Sequence, residues 1–181
     1  DRSMESTRFF ELPEEKEKFE RAMKSITVFG GGDDAESSLE ALAYAIRSDW
    51  RATTDRYRQV IVLWTDDEPH PLNDRSYQKN IYSSLPNNDP ARYYPSRELP
   101  RDLSELCDWW EDPDLGYIDQ TGKRLLLFSP LQVEGTSGPK ASYAWGEIRD
   151  WSNVIHRNVN STGNLQELDY DVVVETVSKS V

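Results

Sequence analysis

The chain has 181 residues, 21 Lys+Arg against 33 Asp+Glu, a formal charge of −12, and 36% hydrophobic residues that include six Trp and nine Tyr. That length suits one domain, and the aromatic content can fill a core, which excludes the disordered class. The acid surplus excludes a surface built to neutralise phosphates, and with it general nucleic-acid or anionic-membrane binding, but it is compatible with cation binding.

Residues 8–12 (RFFEL) form a short apolar segment ahead of Pro13, which suits an extended stretch running into a helix with proline in its first turn. Residues 14–25 are helical by composition, with Phe19, Ala22, Met23 and Ile26 at helical spacing and acids crowding the first turn. Gly30-Gly31-Gly32-Asp33-Asp34 then feeds a second helix that reads to about Ser48. Leu39, Leu42, Ala43 and Ile46 share one face of it, and Asp33 or Asp34 is the natural N-cap. Residues 59–65 (QVIVLWT) are a nearly unbroken apolar run ending at Asp66, the pattern of a strand buried on both faces of a parallel sheet. Residues 72–100 show no periodicity and carry Pro86, Pro90, Pro95 and Pro100, so 73–100 reads as a long loop insertion. A helix follows at 102–112, a second buried strand at 123–129 (KRLLLFS), and a shorter flexible insertion at 135–139 (GTSGP). Residues 143–152 read as helix, 153–156 (NVIH) as a weaker strand, and a C-terminal helix begins near Leu165. Strands alternating with helices predict an α/β fold with a doubly wound, mostly parallel sheet and helices on both faces.

In such sheets ligands bind at the carboxyl ends of the strands. The densest acid cluster stands there, Thr65-Asp66-Asp67-Glu68-Pro69-His70, after the most apolar strand. The glycine loop carries Asp33, Asp34 and Glu36 at a helix N-terminus, on this edge of the sheet or the opposite one. Two aspartates in the turn and the lack of a P-loop lysine argue against a phosphate there. Carboxylates and hydroxyls suit a hard cation such as Mg²⁺. The plainer readings are a turn cap for Asp66, an N-cap with first-turn acids for Asp33, Asp34 and Glu36, and hydrogen-bonded structural roles for His70 and His156. Cys107 reads as a small buried hydrophobe, and Trp109, Trp110, Trp145 and Trp151 as core residues. A lone cysteine makes no internal disulfide and fits a reducing compartment. No apolar run approaches the roughly 20 residues that span a bilayer, and no signal peptide opens the chain. A cytoplasmic protein without a membrane segment is expected. Because Asp1 opens the chain without an initiator methionine, a longer protein around it is also expected.

The segments GGGDDAESSLEALAYAIRSDW, RQVIVLWTDDEPHPL, KRLLLFSP and WSNVIH, in that order, resemble bacterial von Willebrand factor type A (vWA) domains. They are similar in particular to stand-alone TerY-like members with a G-G-G-D-x-x-E loop and a T-D-x-x-x-H-P strand end. The resemblance runs over residues 9–181. It implies a Rossmann-like sheet bearing a metal-ion-dependent adhesion site, where Mg²⁺ or Mn²⁺ keeps a position open for an acidic residue of a protein partner. It also implies a bacterial signalling or stress-response setting with kinase and phosphatase partners. By the same resemblance Asp66 matches the aspartate that reaches the metal, Thr65 its hydroxyl neighbour, and Asp33 or Glu36 stands in for the family's loop threonine, with Asp67 supporting. The family's first strand ends in D-x-S-x-S. Asp1-Arg2-Ser3-Met4-Glu5-Ser6 matches it only superficially, having no strand before it and Glu5 in place of the second serine. Either the first strand, first helix and second strand lie outside these residues, or the chain is a divergent member with an incomplete site. Two other classes remain: a metal-dependent hydrolase built on Asp66, Asp67, Glu68 and His70, and a metal-free interaction module. No Ser/His/Asp or Cys/His catalytic arrangement is evident, and the expected function is binding.

Overall fold

The computed structural model describes residues 9–25, 36–50, 58–72, 99–133, 140–159 and 175. Contacts within the chain divide it into two compact units, Asp1–Asp33 with Arg75–Arg97 and Asp34–Asp74 with Glu98–Val181. The described part of the first unit is a turn leading into helix α1 (Lys16–Ser25). Pro13 lies in that turn, ahead of the first helical turn where it was expected. There the Glu15 amide donates to Glu11 O at 2.7 Å, and the Glu15 carboxylate accepts the Glu11 amide at 3.1 Å. Glu17 in the first turn and Lys24 in the last complement the helix dipole.

The second unit contains, in chain order, α2 (Ser38–Ile46), β1 (Gln59–Trp64), α3 (Leu103–Glu111), β2 (Lys123–Ser129), β3 (Gln132–Val133), β4 (Lys140–Ala141), α4 (Tyr143–Ile148) and β5 (Val154–Asn158). Strands β1, β2 and β5 lie side by side in that order, all parallel, with Ile61 opposite Leu125 and Leu127 opposite His156. This open parallel sheet with helices in its crossovers is an α/β fold. Strands β3 and β4 pair antiparallel as a separate short ladder that the composition did not signal, and residues 135–139 lie outside the described residues.

Period-2 alternation assigns the two faces of the sheet. Ile61, Leu125 and Leu127 join Leu39, Leu42, Ala43 and Ile46 of α2, Leu106, Trp109 and Trp110 of α3, and Trp145 and Ile148 of α4 in one continuous core. On the opposite face Leu126 and Phe128 are also fully buried, and Phe128 stacks on Trp64 at 4.7 Å between centroids. The central strand is therefore buried on both sides, as its apolar run demands. Strand β1 departs from that expectation, because it ends the described sheet and Val62 is 50% exposed.

The caps explain the helix boundaries. For α3, the Asp102 carboxylate accepts the Glu105 amide at 2.9 Å, while Glu105 reaches back to the Arg101 amide at 2.7 Å. The two side chains satisfy donors that the helix start leaves open. The start of α4 is capped by Ser142, whose hydroxyl accepts the Trp145 amide at 3.2 Å. That helix stops at Ile148, short of the 143–152 expected, and residues 149–153 turn the chain into β5 through Asn153 at φ 59°. The cap position of α2 is Ser37, not Asp33 or Asp34. Glu36 is held in extended pairing with residues 68–70, so helical geometry cannot begin before it. Residues 73–98, Asp33 and Asp34, and all of the C-terminal helix but Glu175 lie outside the described residues. No described helix is long and apolar enough to cross a membrane.

Candidate functional site at the carboxyl edge of β1

The ladder between β1 and β2 continues one residue past the strand, with the Thr65 amide donating to Phe128 O at 3.0 Å. Thr65 is buried, and its hydroxyl accepts from the Ser38 hydroxyl at 3.3 Å, which ties the first residue of α2 to the end of β1. Just before α2, Glu36 runs parallel to the acidic segment. Its amide donates to Glu68 O at 3.0 Å, and its carbonyl accepts the His70 amide at 2.8 Å. Glu36 and the Asp66 turn therefore share the carboxyl edge of the sheet, which answers the question of edge that the order of elements left open.

Within the turn the acids differ in role. The half-buried Asp66 carboxylate has no hydrogen-bond partner among the described residues. Asp67 is spent locally, with one carboxylate oxygen accepting the Glu68 amide at 2.6 Å. Its carbonyl accepts the Trp145 indole N–H at 2.8 Å and the Thr65 hydroxyl at 3.4 Å. Glu68 Oε1 accepts the Ala144 amide at 3.4 Å, while Oε2 is buried without a partner. Glu36 is exposed. The structure thus gathers Glu36, Thr65, Asp66 and Asp67 on one edge, and Asp33 lies outside the described residues. Among the described residues no three His, Cys, Asp or Glu side chains converge as a metal-holding group.

Two residues of α2 at this end escaped the sequence reading. Ser38 is one, and its signal was the Ser37-Ser38 pair directly before the apolar periodicity. The other is Glu40, 4% exposed, with Oε2 lacking any hydrogen-bond partner. Burial pushes its carboxyl up to about 6 from 4.5, against a smaller opposing effect of its own amide. A carboxyl with a raised folded-state pKa is protonated in the folded state while still ionised in the unfolded one, so stability falls as pH rises through that window. The destabilisation is absent below about pH 4.5 and complete above about pH 6, where it reaches about 2 kcal/mol. Urea unfolding of Glu40→Gln and of the native chain at pH 4.5 and pH 7 should therefore show a gain for the variant that grows with pH. An equal difference at both pH values would remove this account.

Two further groups among the described residues are held in structural contacts. His156 Nε2 lies 3.2 Å from Ser129 Oγ and 3.1 Å from Ser129 O, joining β5 to β2. Burial holds the imidazole below its usual pKa, with the Ser129 bond opposing. Ser129 is fully buried, so this pair presents no reachable nucleophile. The half-buried Cys107 packs against the core, and burial pushes its thiol up, away from the reactive thiolate.

Comparison with protein-family models, with curated proteins and with solved structures returned no match to this chain.

Proposed function

We propose that the chain is a vWA-type protein-interaction module that engages an acidic residue of a protein partner through Mg²⁺ or Mn²⁺ at the carboxyl edge of β1. The observation that supports the reading is the meeting of Ser38 from α2 with Thr65 at the end of β1, the residue directly before Asp66. Hydroxyls and carboxylates are concentrated on that edge, where Asp66 has no hydrogen-bond partner among the described residues and Glu68 Oε2 is buried without one. An all-oxygen donor set suits a hard divalent cation better than zinc, which favours Cys and His.

Asp66 and Glu36 would hold the cation, with Thr65 and Asp67 supporting them; Asp33, expected beside them from the sequence, lies outside the described residues. The bound cation supplies an open coordination position for a carboxylate on the partner. The chain's own residues do the rest. The Ser38–Thr65 contact fixes α2 against the strand end, and the Trp145 indole fixes the turn in which Asp66 sits. A partner belonging to a bacterial kinase and phosphatase stress-response system follows from the vWA reading, as does a cytoplasmic setting.

Calorimetric titration with Mg²⁺ and Mn²⁺ tests this. The native chain is expected to bind, and Asp66→Ala to weaken binding at least about tenfold, since removing one of few charged ligands forfeits more than 1.4 kcal/mol. No binding by the native chain, or equal binding by both, would sink the metal-bridged reading.

A further inference from the structure

Strand β5 ends the described sheet on the side away from β1. Leu125 donates its amide to Asn153 O and Val159 donates its own to Ser129 O, so the odd-numbered residues of β5 face β2. By the alternation of a parallel ladder, Val154, His156 and Asn158 turn their N–H and C=O groups outward. Among the described residues, the only partner of those groups is the Arg157 guanidinium, which donates to His156 O at 3.4 Å. A charged side chain is an ordinary guard of a sheet edge, but a bond of that length is weak enough to be exchanged.

Positive charge gathers at this edge in a chain of net charge −12. Arg157 lies opposite Phe128 and His156 opposite Leu127, so the two side chains leave β5 on opposite faces of the sheet. Arg149 closes α4, which packs on the His156 face. After burial, the charges of Arg149 and Arg157 hold the imidazole below its usual pKa, and no carboxylate of the described residues bears on it. Arg149 pairs with Asp150 at 3.5 Å, but that acid is 76% exposed, and such a surface pair contributes little.

We propose that an extended acidic segment of a protein partner adds to the sheet along β5, pairing its main chain with Val154, His156 and Asn158. Its carboxylates take Arg157 on one face and Arg149 with His156 on the other. Strand addition draws affinity from main-chain bonds and selectivity from the side chains that flank them. Charge complementarity sets the acid requirement, because Arg157 spends its guanidinium on a carbonyl and no ion pair of β5 has to break. The added strand offers an N–H to His156 O in exchange. This surface goes beyond the cation reading and lies two strands from Asp66.

Fluorescence anisotropy of the whole chain in EDTA tests the edge independently of any cation at Asp66. The probe is a labelled peptide, Val-Glu-Glu-Val-Glu-Glu-Val, with carboxylates on both faces of an extended strand. The native chain is expected to bind it, and Arg157→Glu to weaken binding at least about tenfold. A peptide with lysine for each glutamate should not bind, and one with proline for the central valine should bind at least about tenfold more weakly, because proline removes a ladder donor. Those two peptides leave the protein untouched, so a folding defect in the variant cannot imitate the result. Amide hydrogen exchange at peptide saturation should slow at Val154, His156 and Asn158 and stay unchanged at Ile155 and Arg157, which already donate to β2. No binding of the acidic peptide, equal binding of the lysine or proline peptide, or unchanged exchange at His156 and Asn158 would each overturn the proposal. Protection of these amides that grows with protein concentration without peptide would assign the edge to a second copy and overturn it too.

Discussion

Glu111→Ala is expected to cost about 3 kcal/mol of folding stability, whereas Lys123→Met should change it by less than about 1 kcal/mol. The two residues form one ion pair, but their surroundings differ. The Lys123 side chain is 0% exposed, and its ammonium donates to Glu111 Oε2 at 3.0 Å and to Trp110 O at 2.5 Å, lying 4.7 Å from the Trp110 ring. Burial pushes that ammonium below its usual pKa, with Glu111 opposing. Glu111 is 35% exposed and has other partners, accepting the Ser152 amide and hydroxyl at 2.6 Å each. Burial alone would raise its carboxyl, but Ser152 and Lys123 together hold it below the ordinary range.

Removing Glu111 leaves a buried cation with one carbonyl and a ring face, and breaking a buried pair from one side costs about 3–5 kcal/mol. The partial exposure of Glu111 gives water a path to the ammonium and places the cost at the lower end. Lys123→Met keeps the apolar stem against Trp110, removes the desolvation cost, and leaves Glu111 satisfied by Ser152. Urea unfolding midpoints at constant slope measure both. A larger loss for Lys123→Met than for Glu111→Ala would mean that the ammonium is a net stabiliser and that this account is wrong.

The same residues show why part of the fold was legible in the sequence and part was not. Residues 123–129 read as a buried strand because Leu125, Leu126, Leu127 and Phe128 are interior on both faces. The start of α3 at Asp102 was legible because a capping aspartate acts within three residues of itself. The burial of Lys123 was not legible, because its partner Glu111 sits on another element and the pair exists only once α3 has packed on the sheet. Strand β1 carries an apolar run like that of β2, yet it ends the described sheet with Val62 half exposed, and no periodicity separates such a strand from a central one. The hairpin β3–β4 was missed because two-residue strands are too short to display a period of two. At the site, the acids after β1 were visible as a cluster. The closeness of Glu36 rests instead on its main-chain bonds to residues 68–70, and those depend on no side-chain pattern.

Trp145→Ala is expected to cost about 3–5 kcal/mol, and Trp145→Phe separates the two jobs that this side chain performs. Trp145 is fully buried in the core at the start of α4, while its indole N–H reaches Asp67 O at 2.8 Å. Packing thus fixes the ring, and the ring fixes the turn that carries Asp66. Phenylalanine retains much of the packing but donates no hydrogen bond, leaving Asp67 O with only the long contact from the Thr65 hydroxyl at 3.4 Å. An acceptor stripped of its main donor in a part-buried position costs about 1–3 kcal/mol. Because the lost bond lies one residue from Asp66, the Phe variant should stay folded at moderate denaturant and, on the metal-bridged proposal, bind Mg²⁺ several-fold more weakly than the native chain. The Ala variant should be limited by stability first. Urea unfolding and calorimetric Mg²⁺ titration on the same preparations measure the two effects. If Trp145→Phe matched the native chain in both, the indole hydrogen bond would have no part in holding the Asp66 turn, and the link from core to site would rest on shape alone.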